Sequence, residues 1–292
     1  MEYRVMGRTG MKVSVLGFGG AEIGFESPDD ADVVRLLQSA LDEGLNIIDT
    51  AECYEDSEER IGRAVSKRRD DFHLFTKVGH ASGLEGGDWN PEMMARSIDR
   101  SLERLQTDRV DLVQLHTCSE EMLRQGDVIA VLQKARDEGK TRFIGYSGDN
   151  EAAKYAVECG AFDTLQTSVN VCDQRVLDLY LPQALDSGMG VIAKRPIANA
   201  AWRYDETLPQ DHYHRTYQDR LRALDYAWTR DGAPDAASIA LRWTLATGVH
   251  TMIVGTRHPD RWPPKRRVVR GRGATLSRVQ RHSRTLGNSC LR

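Results

Sequence analysis

Four residues of this chain could together run proton chemistry on a carbonyl group. Asp49 follows Asn46-Ile47-Ile48, and Tyr54 comes five residues later. Lys77 closes Leu74-Phe75-Thr76-Lys77, and His116 closes the apolar run 110–116. A phenol with a pKa of about 10 is a poor acid at neutral pH. A cation against it stabilises the phenolate, and a carboxylate can hold that cation in place. An imidazole alongside can donate to a carbonyl oxygen and orient it. The set suits interconversion of C=O and CH–OH, which also needs a hydride carrier and therefore a nicotinamide cofactor. The same residue types allow a Schiff-base aldolase at Lys77. That chemistry needs a desolvated lysine of depressed pKa, which a nearby Asp49 opposes.

Such residues converge only if each ends a strand of one sheet. Short β-branched apolar runs at 15–20, 46–50, 73–78, 110–116, 142–147, 164–170, 190–196 and 251–255 read as eight strands, without the alternation of a half-exposed sheet. Between them 30–43, 57–69, 91–106, 128–139 and 151–159 read as helices. Asp30 and Ser57 are candidate N-caps, and Gly44, Gly139 and Gly160 candidate stops. Residues 3–6 and 12–14 flank Gly7-Arg8-Thr9-Gly10 as a hairpin. The pattern predicts an α/β fold, a (β/α)8 TIM barrel with an N-terminal β-hairpin cap, over 1–261. An open Rossmann sheet is disfavoured because there is no GxGxxG; Gly17-Phe18-Gly19-Gly20 has the wrong spacing. The irregular stretch 197–215, with Trp202, Tyr204 and Tyr213, would lie over the C-terminal face, ahead of helices at 216–230 and 235–246.

Charge divides the chain. Its formal net charge of −3 combines residues 1–256, with 29 basic and 42 acidic side chains, and residues 257–292, with 11 basic and one acidic. The first part argues against a nucleic-acid binder, leaving only the tail as a basic surface. No apolar run suggests a membrane span, and residues 1–8 lack a signal-peptide core. Cys53, Cys118, Cys159, Cys172 and Cys290 contain no CxxC pair and read as reduced thiols of a cytoplasmic protein with no metal site. Cys118 reads as a small packing residue, and Cys53 as packing or an oxidation-sensitive thiol. The surface pattern leaves the oligomeric state open.

Asp49-Thr50-Ala51-x-x-Tyr54 followed by Ser57-Glu58-Glu59-x-Ile61-Gly62 resembles the signature of the aldo-keto reductases. Lys77 in Phe75-Thr76-Lys77-Val78 and His116 in Asp111-Leu112-Val113-Gln114-Leu115-His116 match that family's other catalytic positions. The opening Gly7-Arg8-Thr9-Gly10 and the strand Ile144-Gly145-Tyr146-Ser147 are similar too. The resemblance runs from about residue 3 to Arg261. It implies reversible reduction of a small aldehyde or ketone, with Tyr54 as general acid or base. Lys77 would lower the pKa of Tyr54, Asp49 would pair with Lys77, and His116 would polarise the carbonyl. It also implies NADPH, with NADH not excluded, extended across the strand ends. Ser147 and Gln166 would hold the carboxamide with Asn170 nearby, and Arg195, Pro196 and Asn199 would run past the pyrophosphate. Gly255, Arg257 and Arg261 would meet the adenosine phosphate, an arginine there favouring NADP.

Some positions depart from the family. Gly148-Asp149 stands where Asn is usual, so a carboxamide contact is missing or moved to Asn150. Lys194-Arg195 replaces an aromatic residue, either stacking or pairing with phosphate through Arg195 or simply ending a strand. Pro263-Pro264 blocks the helix that relatives carry there. The tail 262–292 reads either as a disordered basic arm for nucleic acid or an acidic partner, or as sequence read out of frame. Either way a missing final helix would weaken cofactor binding and thermal stability. The altered tail keeps a second function open, a catalytically weak reductase-like barrel that binds cofactor and regulates a partner.

Overall fold

Ten strands run through the computed structural model, which describes residues 1–230 and 235–259. They are β1 Tyr3–Val5, β2 Lys12–Ser14, β3 Leu16–Gly19, β4 Ile47–Asp49, β5 His73–Val78, β6 Val110–His116, β7 Thr141–Ser147, β8 Thr164–Ser168, β9 Gly190–Lys194 and β10 Thr251–Gly255. The last eight close into a parallel barrel in the order β10-β3-β4-β5-β6-β7-β8-β9. Each reads as a near-continuous apolar run because helices cover its outer face and packed side chains fill the inner one. Val110, Leu112, Val113 and Leu115 of β6 show the pattern, all fully buried. The expected strands are all present: three match to the residue, four are two residues shorter and one begins a residue earlier.

β1 and β2 pair antiparallel, with Tyr3 opposite Ser14 and Val5 opposite Lys12. The hairpin plugs the N-terminal mouth through its connection and β2. Met6, Met11 and Val13 form one buried cluster with Ile47, Phe75, Leu112 and Ile192. The hairpin turns through a short 3-10 segment, Gly7–Thr9, in which Gly7 has φ +50° and a Cβ would collide with the Gly188 carbonyl. Only glycine fits that approach.

The helix starts differ in detail from the expectation. The cap of the helix Asp30–Asp42 is Asp29, whose carboxylate accepts from the Ala31 amide. Asp30 instead pairs with Arg60 and Arg63. Ser57 is the first residue of the helix Ser57–Val65 and caps nothing; its hydroxyl donates to the Gly20 carbonyl and meets Thr50 Oγ1 at 2.9 Å. Gly44, Gly139 and Gly160 do stop helices, with φ of +87°, +78° and +69°. The tail beyond 261, its Pro263-Pro264 and Arg261 lie outside the described residues. Among the described residues no helix is long and apolar enough to cross a membrane.

One ionic knot ties the barrel floor. Buried Asp111 at the start of β6 accepts from Arg69 at 2.8 Å, Arg142 at 2.8 Å and the Leu74 amide at 2.9 Å. Burial opposes its charge, but His73, the Leu74 amide and the two arginines outweigh it and hold the carboxyl well below its usual range. A depressed carboxyl stabilises the fold fully above the unfolded value near 4 and ceases to as pH falls through the lower folded value. Asp111→Asn is therefore expected to lower stability by about 1.5–3 kcal/mol at neutral pH. Urea midpoints of the two proteins should converge in strong acid; a gap independent of pH would refute this.

Candidate active site

The catalytic candidates meet at the C-terminal ends of β4, β5 and β6. Asp49 ends β4, and Lys77, one residue before the end of the neighbouring strand β5, reaches it with Nζ 2.5 Å from Oδ1. Lys77 also donates to the Thr50 carbonyl at 2.8 Å, and both charged side chains are about 1% exposed. The other carboxylate oxygen of Asp49 accepts from Gln166 at 2.7 Å and from Gln114 at 3.3 Å. Burial works against the Lys77 cation, but Asp49 and Tyr54 beside it raise its pKa above the ordinary lysine value. Held by Asp49 in this way, the ammonium form of Lys77 is favoured, which opposes Schiff-base chemistry there.

Tyr54 lies on the loop after β4 with its ring centroid 5.1 Å from Lys77 Nζ. Lys77 pulls the phenol pKa down as expected, yet burial is larger and pushes it up to about 12. His116 packs edge-on to Tyr54, centroids 5.7 Å apart. Burial, then the Lys77 charge, depress its pKa well below the usual value, so the imidazole is neutral. A neutral imidazole carries one N–H donor and one acceptor. Cys53 Sγ lies 3.4 Å from His116 Nδ1, and burial raises the thiol to about 12. The S–H can donate to Nδ1, an arrangement that leaves the proton on Nε2 as a free donor. Ring contacts continue around the mouth, from Phe25 to Tyr54, from His116 to His80, and from His80 to Trp89. The rim suits a small, partly apolar ligand.

On the far side of the mouth Ser147 ends β7 beside Gln166 of β8, and its hydroxyl donates to Gln166 Oε1 at 3.1 Å. Gln166 thereby links this side to Asp49 and Lys77. Asn170 is spent on its own turn, accepting from the amides of Cys172 and Asp173 and donating to Asp173 and Tyr217. Asp149 accepts from the Ser168 amide at 2.8 Å and pairs with Lys194 at 3.0 Å. The two departures from the family pattern are thus one unit, a carboxylate at 149 neutralising a lysine at 194. Arg195 lies over the Tyr213 ring at 5.3 Å. Thr244 hydrogen-bonds the Pro196 carbonyl at 3.2 Å. Gly255 packs against the Glu22 carboxylate, which would have to move to admit a Cβ there. Arg257 pairs with Glu26 at 2.8 Å.

The residues present fit a dinucleotide. The side-chain nitrogen of Asn199 is buried and has no hydrogen-bond partner among the described residues. Arg195, Ala198, Asn199 and Ala200 all hold positive φ, between +45° and +54°. Unpaired buried donors and such backbone strain in non-glycine residues cluster where a ligand completes the site.

Gln114 and the His80–Cys53–His116 contact lay beyond sequence reasoning. Gln114 reads as one polar residue in an apolar strand, and only barrel closure brings it to Asp49. His80 stands in a loop with no partner at regular spacing. Glu52 is also buried, accepting from the His80 amide at 3.0 Å, and desolvation lifts its pKa to about 8.

A closed parallel barrel with a phenol, a buried ammonium–carboxylate pair and a neutral imidazole at its C-terminal mouth defines an oxidoreductase-type (β/α)8 protein. A family profile described as the aldo/keto reductase family matches residues 15–264, and the chain belongs to that family of NAD(P)H-dependent oxidoreductases. It is 36% identical to the L-galactose dehydrogenase of Arabidopsis thaliana over 68% of this chain and 66% of that protein, just under two thirds of the relative's length. It is 29% identical to the aldo-keto reductase YhdN of Bacillus subtilis (strain 168), over 89% of this chain and 86% of the relative. The holo form of an aldo-keto reductase from Bacillus halodurans superposes with a TM-score of 0.82 at 27% identity, covering 97% of this chain and 96% of that one.

Proposed function

We propose that this protein catalyses the reversible, NAD(P)H-dependent reduction of a small aldehyde or ketone to the alcohol. The observation that carries this is the buried Lys77–Asp49 pair set against Tyr54 beside a neutral His116. Tyr54 gives its phenolic proton to the carbonyl oxygen in reduction and takes it back in oxidation. Lys77 offsets part of the burial that holds the phenol protonated, and Asp49, gripped by Gln114 and Gln166, keeps Lys77 in place. His116 donates to the same oxygen from Nε2 and orients the carbonyl. A bound nicotinamide supplies the hydride. Ser147 and Gln166 serve its carboxamide, with Asn170 nearby, and Arg195, Pro196, Asn199 and Gly255 line the path of the phosphates.

Of the two cofactor forms we favour NADPH, on the strength of Arg257. Its guanidinium is held in place by Glu26 and half exposed, where it can take a 2′-phosphate in bidentate fashion. Arg257→Gln is expected to raise the NADPH dissociation constant about 10- to 100-fold, the worth of one charged hydrogen bond, and to leave NADH unchanged. Equal losses for both cofactors would refute the assignment.

The test of the reaction is oxidation of NADPH and NADH with a panel of small aldehydes, ketones and aldoses, run also in the alcohol-to-carbonyl direction. Aldoses belong in it because one relative is by name a sugar dehydrogenase. Cofactor binding without turnover on any member would overturn the enzyme reading in favour of a cofactor-binding, regulatory barrel.

A further inference from the structure

We propose that Cys53, His80 and His116 form a binding site for a borderline-soft divalent cation, with Zn²⁺ the best match. One ligand atom from each of the three lies within 4.8 Å of the other two. The site draws on three separate loops or strand ends, after β4, after β5 and at the end of β6, and all three residues are half-buried.

One ligand separation, sulfur to nitrogen, already matches a bound state. Zn–S of about 2.3 Å and Zn–N of about 2.0–2.1 Å at a tetrahedral angle place sulfur and nitrogen about 3.6 Å apart. The Cys53 Sγ to His116 Nδ1 distance is 3.4 Å. The His80 and His116 rings are 5.3 Å apart at their centroids, inclined by 68°. His80 is also oriented from behind, because its Nδ1 meets Asp88 Oδ2 at 3.0 Å and its Nε2 is left for the metal. A carboxylate behind a ligating imidazole fixes its tautomer and raises its basicity. Asp88 is itself anchored by the Ala81 amide at 2.8 Å.

One thiolate with two imidazoles selects zinc, or copper among the softer ions, over magnesium and calcium, and three protein ligands leave a fourth position for water. Binding replaces the Cys53 S–H proton with the metal and releases it to solvent; neither metal nor protein changes oxidation state. A cation so held takes the Nδ1 lone pair of His116 and displaces the Cys53 hydrogen bond. On the function proposed above, a metal at Nδ1 leaves the Nε2–H of His116 free to donate.

The experiment titrates the reduced, chelator-treated full-length protein with Co²⁺ and then Zn²⁺, without cofactor or substrate. One equivalent of Co²⁺ is expected to give four-coordinate ligand-field bands and a thiolate-to-metal charge-transfer band, both erased by one equivalent of Zn²⁺. Cys53→Ser should abolish the charge-transfer band. Asp88→Asn, at an exposed position outside the catalytic set, should weaken Zn²⁺ roughly tenfold or more. A band that survives Cys53→Ser, or a Zn²⁺ affinity unchanged in both Cys53→Ser and His80→Gln, would overturn the site.

Discussion

Tyr54→Phe is expected to lower kcat for carbonyl reduction by about 10²- to 10⁴-fold, the usual worth of a positioned general acid. The cofactor dissociation constant should not move. The change removes one oxygen and leaves the ring, whose edge contacts with Phe25 and His116 hold the loop after β4. A loss of turnover without loss of stability or cofactor binding therefore reads on the proton alone. The raised phenol pKa adds a signed pH test. With the phenol pushed up to about 12, Tyr54 keeps its proton throughout the neutral range, so reduction should be nearly flat with pH there. Alcohol oxidation needs the phenolate, so its rate should climb as pH rises. Retained activity in Tyr54→Phe would move the acid role elsewhere, with His116 the next candidate.

Much of this architecture is legible in the amino-acid order because parallel barrel strands are buried on both faces. Val110–His116 and His73–Val78 are recoverable to the residue because each is a short, β-branched apolar run bounded by helical patterns. The reactive residues are legible for a related reason: Asp49 and His116 each end such a run and Lys77 stands one residue short of an end, where the barrel turns toward solvent. Local competition hides the caps. Asp29 and Asp30 are adjacent acids, and the choice between them depends on Arg60 and Arg63 more than thirty residues away. The same holds for Ser57, whose hydroxyl serves a loop across the barrel mouth.

Pairings formed by barrel closure are hidden more deeply. Gln114 and Gln166 sit on strands separated by β7, yet both donate to one carboxylate oxygen of Asp49. Asp149 and Lys194 look like two unrelated departures from the family pattern until β8 and β9 place them together. In each case the residue type is visible in sequence, and its partner exists only in three dimensions. The phenol shows the same limit in its energetics. The Lys77 charge predicts a lowered pKa, and the degree of burial, which no short motif encodes, reverses the net direction.

Breaking the Lys77–Asp49 pair should be the most destabilising change at the site. Lys77→Met leaves a buried carboxylate with only the amides of Gln114 and Gln166, and Asp49→Asn leaves a buried ammonium with the Thr50 carbonyl. Loss of one member of a buried pair costs about 3–5 kcal/mol, a large part of a net stability of about 5–15 kcal/mol. The double variant Asp49→Asn/Lys77→Met removes both charges, so no uncompensated ion remains. Its stability should therefore recover toward wild type, while reduction stays as low as in Lys77→Met because the cation beside Tyr54 is gone. The recovered stability separates the two roles of the pair: holding the barrel mouth needs the charges balanced, whereas tuning Tyr54 needs the positive one present. Denaturant midpoints and kcat across the three variants read the two quantities independently. A double variant as unstable as the singles would mean the pair is replaced by strain, and one that regained turnover would remove Lys77 from the chemistry.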